Sequence, residues 1–130
     1  MEIPKTVTQG SNTYNVNEIG AGAFKNMTNI TSAAFWNGDL DLIVGKEAFS
    51  GCTYLTYFDL WGKSTVIGDS AFVNAATESS KYGFSFDAGE EGDCVTYIGN
   101  NAFEGVRFGG FTIGAGETTI GKNALGAEVK

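Results

Sequence analysis

The stretch Glu18-Ile19-Gly20-Ala21-Gly22-Ala23-Phe24 returns four times along the chain: as Ile43-Val44-Gly45-Lys46-Glu47-Ala48-Phe49, Val66-Ile67-Gly68-Asp69-Ser70-Ala71-Phe72, Tyr97-Ile98-Gly99-Asn100-Asn101-Ala102-Phe103 and Thr119-Ile120-Gly121-Lys122-Asn123-Ala124-Leu125. Its first glycine falls at 20, 45, 68, 99 and 121, in steps of 25, 23, 31 and 22 residues. A looser pattern lies between the copies: Ile30-x-x-Ala33-x-Phe35, Leu55-x-x-Phe58-x-Leu60, Lys81-x-x-Phe84-x-Phe86 and Phe108-x-x-Phe111-x-Ile113, with Ile3 in phase one repeat earlier. Two signals sharing one period define a solenoid, because a unit this small cannot close a core of its own and must bury its apolar side chains against its neighbours.

Each unit reads as two short strands and a corner. The alternating apolar residues of the looser pattern predict a strand with one face inward, stacked on its equivalents as a parallel sheet. A second short strand follows, clearest in Val95-Thr96-Tyr97-Ile98, and Gly99 ends it. Polar pairs such as Asp69-Ser70 and Asn100-Asn101 then suit a helix start, and Ala-Phe predicts a single helical turn with Phe inside. Two residues beyond each Phe stand Asn26, Gly51, Asn74 and Gly105, the types that tolerate a left-handed helix end. Next come the apolar Met27, Cys52, Ala75 and Val106.

The pattern Leu55-Thr56-Tyr57-Phe58-Asp59-Leu60 followed by Ile67-Gly68-Asp69-Ser70-Ala71-Phe72, with Ile3-Pro4-Lys5-Thr6-Val7-Thr8 at the start, resembles the BspA-like leucine-rich repeats of bacterial surface proteins. The resemblance runs over almost the whole chain. It implies a leucine-rich-repeat solenoid of four to five repeats in one domain, 1–130, in the α/β class but β-rich, with a parallel sheet on the concave side. It also implies an extracellular or cell-surface protein that binds other proteins. The chain departs from the family at Glu78, where an apolar residue is expected, at Leu125, which replaces Phe, and in keeping only Cys52 of the family's cysteines. Its opening on a partial repeat suggests a segment of a longer array.

Composition narrows the function. Taken alone, Glu18 to Phe24 resembles the glycine-rich loop of a protein kinase, but 130 residues cannot hold two lobes. The other copies also replace Gly22 with Glu47, Ser70, Asn101 and Asn123. The formal charge of -7 argues against nucleic acid and against anionic membrane surfaces, and no apolar run approaches the ~20 residues of a membrane span. The absence of histidine removes Ser-His and Cys-His nucleophile pairs and His-ligated metals. No enzyme activity and no cofactor are expected.

The candidate binding residues follow from the repeat phase. Residues just past each strand are Pro4, Trp36, Trp61, Asp87 and Gly114, so the two tryptophans should stand one strand apart, about 4.8 Å. From strand end to next glycine, 60 to 68 and 113 to 121 are the shortest links, while 3 to 20, 35 to 45 and 86 to 99 carry insertions, all along one edge. Strand alternation points Tyr57 and Asp59 outward with Ser32, Ala34, Ser85 and Thr112. Trp36, Tyr57, Asp59, Trp61 and Asp87 are therefore the candidate contacts for a protein or glycan ligand; the competing reading folds both tryptophans over the adjoining loop as packing. Asp87, Glu90, Glu91 and Asp93 gather carboxylates that could attract Ca²⁺, though their spacing fits no known calcium loop and a solvated acidic loop is the simpler reading. Cys52 falls in a buried slot and Cys94 beside the acidic loop. Asn26-Met27-Thr28 and Asn29-Ile30-Thr31 are formal glycosylation sequons. The functional expectation is a non-catalytic binding or adhesion module; the alternative is a structural spacer, or a repeat segment that self-associates through its ends.

Overall fold

The apolar rows of the repeats stack into a parallel β-solenoid of about four turns. A computed structural model describes residues 1–78, 83–88, 94–114 and 117–126. Its strands are β1 (Glu2–Ile3), β2 (Thr6–Gln9), β3 (Asn12–Asn15), β4 (Glu18–Ile19), β5 (Ser32–Val44), β6 (Tyr57–Ile67), β7 (Phe84–Ala88), β8 (Cys94–Ile98), β9 (Phe108–Ile113) and β10 (Thr119–Ile120). A first parallel ladder runs β1-β5-β6-β7-β9; a second joins β4, the end of β5, the end of β6, β8 and β10. The two expected short strands are fused into one in β5 and one in β6. The extra link residues of the second repeat are absorbed as a bulge between Asn37 and Asp41, which lets pairing resume on the far side. The longest link, 3 to 20, forms an exposed hairpin of β2 and β3.

The corner is made of turns rather than a helical turn. Ala23, Ala48, Ala71, Ala102 and Ala124 each donate their N–H to the carbonyl of the repeat glycine three residues back. The residue between, Gly22, Glu47, Ser70, Asn101 or Asn123, sits at φ between 55° and 65°, the left-handed position of a type II turn. The polar pairs therefore shape a tight turn instead of capping a helix. Asn26, Gly51, Asn74 and Gly105 are left-handed as expected. Alternate corner amides reach across to the next repeat, as in Phe24 to Ala48, Phe49 to Ala71, Phe72 to Ala102 and Phe103 to Ala124.

These bonds hold the corner phenylalanines in a column. Phe24, Phe49, Phe72 and Phe103 stack at 5.2, 5.3 and 5.1 Å between successive ring centroids. Rings from the strands enter edge-on between them: Phe58 meets Phe49 at 5.1 Å and Phe72 at 5.0 Å, and Phe86 meets Phe103 at 5.2 Å, the arrangement favoured by ring quadrupoles. Met27 breaks the apolar-slot pattern, standing 42% exposed in the first repeat, while its equivalent Cys52 is buried.

The repeat glycine has a steric reason. A Cβ at Gly45 would lie 2.5 Å from the Ile19 carbonyl oxygen, and one at Gly68 2.7 Å from the Lys46 nitrogen, whereas one at Gly20 meets nothing. Gly68→Ala should therefore lower the unfolding free energy by about 1–3 kcal/mol through overpacking, with Gly20→Ala close to neutral, as read by urea denaturation.

Candidate functional site

Strand parity decides which side chains are left for contact. On β6, Phe58 and Leu60 turn into the core, leaving Tyr57, Asp59 and Trp61 on the outer face; on β5, Ala33 and Phe35 turn in and Ser32, Ala34 and Trp36 out. Parallel pairing then aligns the outer residues in rows across the strands. One row holds Ser32, Tyr57, Ser85 and Gly110, the next Glu2, Ala34, Asp59, Asp87 and Thr112, and a third contains the Trp36 and Trp61 pair.

The fourth repeat corrects the expected register. Phe86 pairs with Phe58 and Ala88 with Leu60, so the strand extends two residues beyond Phe86. Asp87 is not the residue past the strand end in line with the tryptophans; it lies within β7 opposite Asp59. The shift brings it nearer the other candidates, and the Tyr57 hydroxyl donates to Asp87 Oδ2 at 3.4 Å.

Trp36 and Trp61 meet edge to face, with ring centroids 6.5 Å apart and planes at 68°. Each remains 41% exposed. Trp61 also lies against Gly38, where a Cβ would come within 3.2 Å of its indole, so one side of this ring packs on the bulge while the rest faces solvent. Beside Trp36 a cleft of about 340 Å³ is lined by Glu2, Ile3, Pro4, Lys5, Ala34 and Trp36. The floor of this face is otherwise small: Ser32, Ala34, Ser85, Gly110 and Thr112. Glu2 was missing from the candidates read from sequence, although Ile3, already in phase, places Glu2 in the row of Asp59.

Of the carboxylates considered for Ca²⁺, Glu90, Glu91 and Asp93 lie outside the described residues, as does the Cys94 side chain. Among the described residues no group of three or more Asp, Glu or Cys could hold a metal ion. Cys52 is a buried free thiol that donates to the Phe24 carbonyl at 3.0 Å, and burial raises its pKa. At the corner, Lys25 pairs with Glu47, and that hydrogen bond and charge hold the Glu47 carboxyl below its ordinary value.

The stacked ladders, the glycine corners and the inward rows define a leucine-rich-repeat protein. Residues 5–87 match the family model of the BspA type leucine rich repeat region in six copies, and the chain belongs to that family. It is similar in fold to the crystal structure of a leucine rich cell surface protein from Faecalibacterium prausnitzii A2-165, with a TM-score of 0.58 and 20% identity. The match covers 96% of this chain and 38% of that one. No curated protein matches the chain.

Cys52 should resist thiol reagents at pH 8 in a native Cys94→Ser variant and react at once on unfolding. Its raised pKa favours the folded state below the ordinary thiol value; that contribution is lost as pH rises through and above it, where the unfolded chain ionises first. Urea midpoints at pH 8 and pH 10 should fall in that order, and Cys52→Ala should flatten the difference.

Proposed function

We propose that the chain is a non-catalytic recognition module of a bacterial surface or secreted protein, binding a macromolecular ligand through the outer face of its first ladder and the loop-bearing edge beside it. The observation that carries this reading is the pair of tryptophans, in register on adjacent strands and exposed at 41% each. The core is already filled by stacked phenylalanines, so the exposed part of the indoles is not needed for folding, and aromatic anchors of this kind carry much of the energy at protein interfaces. Family membership and the cell-surface description of the similar crystal structure support the placement outside the cell.

A second reading, a spacer or self-associating array segment, draws on the first repeat. The seat at Gly20 that would accept a neighbouring backbone is open, whereas its equivalents at Gly45 and Gly68 are filled.

Both readings are separable by measurement. Trp36→Ala/Trp61→Ala should keep the circular dichroism spectrum, and the unfolding free energy from urea denaturation to within about 1 kcal/mol, while binding to host-cell surfaces, matrix proteins or glycan arrays falls at least tenfold. Equal binding by the variant and the wild type to every probe would contradict the recognition reading. Concentration-dependent association in sedimentation would favour the second.

A further inference from the structure

Resting on the recognition reading above, we infer that the partner of this face is a basic polypeptide segment, whose arginine or lysine side chains seat between the indoles and the row of carboxylates.

The argument begins with the sign of the surface. The three outer rows hold Glu2, Asp59 and Asp87 and, among the described residues, no lysine or arginine. Farther along, Asp39 and Asp41 are exposed on β5 and Lys63 is exposed on β6, so this stretch is mixed but still net acidic. Of the other described basic residues, Lys25, Lys46 and Lys122 lie at the corners away from these rows, Lys5 lines the cleft beside Trp36, and Arg107 directly precedes β9. The whole chain carries a formal charge of -7, so its field adds to the local one and favours cationic partners.

The second strand of argument is the kind of contact offered. A guanidinium or ammonium group is attracted to the face of an indole and gains most when a carboxylate also accepts its hydrogen bonds. Trp61 and Asp59 are neighbouring outward residues on β6, and Asp87 stands opposite Asp59 on β7. Tyr57 already donates to Asp87, which fixes that carboxylate without removing its charge. The small floor of Ser32, Ala34, Ser85, Gly110 and Thr112 leaves room for a backbone to lie across the strands. Arginine suits the site better than lysine, because its planar fork can stack and hydrogen-bond at once.

The test is a tryptophan-fluorescence titration of the intact chain with nona-arginine and nona-lysine at rising NaCl. Emission should change on binding, nona-arginine should bind more tightly than nona-lysine, and the dissociation constant should rise at least tenfold between low and high salt. Asp59→Asn and Asp87→Asn should each weaken binding several-fold with the fold intact by circular dichroism. Glu78→Gln/Glu104→Gln, which neutralises exposed charges off this face, should leave it nearly unchanged. If that control weakens binding as much as the aspartate variants, only diffuse charge is at work and the inference is overturned. If chitohexaose changes the emission, independently of both aspartates, while the peptides do not, the face recognises glycans: the basic partner is wrong and the recognition reading survives. If neither class of probe perturbs the tryptophans, the basic partner is wrong and the recognition reading loses its support from this face.

Discussion

The structure depends on the corner at which each repeat touches the next. Its amides divide their work: those of the alanines close the type II turn within the repeat, and those of the phenylalanines bond to the following repeat. The same spacing fixes the phenylalanine rings at about the distance of stacked aromatics. A glycine is needed at the start of the turn because the neighbouring backbone passes where a Cβ would stand. Polar bonding and apolar stacking therefore repeat with one spacing, and neither could be kept if the other slipped.

This arrangement frees the outside of the sheet. Because the inward rows and the corner satisfy the backbone and the core, residues on the outer face of β5, β6 and β7 can change without disturbing the stack. The face of this chain pairs two exposed tryptophans with carboxylates from three strands. On the proposed recognition reading, specificity resides in side chains that the fold does not constrain, which is why family membership alone says little about a partner.

Much of this was legible in the residues. The period, the inward phenylalanines, the left-handed Asn26, Gly51, Asn74 and Gly105, and the neighbouring tryptophans all follow from repetition, since each copy confirms the phase of the others. The structure departs from the sequence pattern where one copy offers two solutions. In Phe84-Ser85-Phe86-Asp87-Ala88 both phenylalanines are apolar and of equal parity, so alternation could not distinguish a strand ending at Phe86 from one ending at Ala88; pairing with Leu60 decided it. The corner's polar residues suit a helix start because Asp, Ser and Asn favour helix starts and left-handed turns alike, and only the φ angles separate the two. Fusion of the short strands in β5 and β6 depends on a bulge set by cross-strand pairing, which no local pattern records. Met27 is exposed although it stands in the slot that buries Cys52 and Ala75.

The most direct measurement of the central claim is native-state hydrogen exchange at individual corner amides. If inter-repeat bonding at the corner holds the solenoid together, the amides of Phe49, Phe72 and Phe103 should exchange as slowly as the central strand amides of β6, near the limit set by global unfolding. Rapid exchange at those three positions, with β6 still protected, would show that the corners are ordinary exposed turns and would contradict the account.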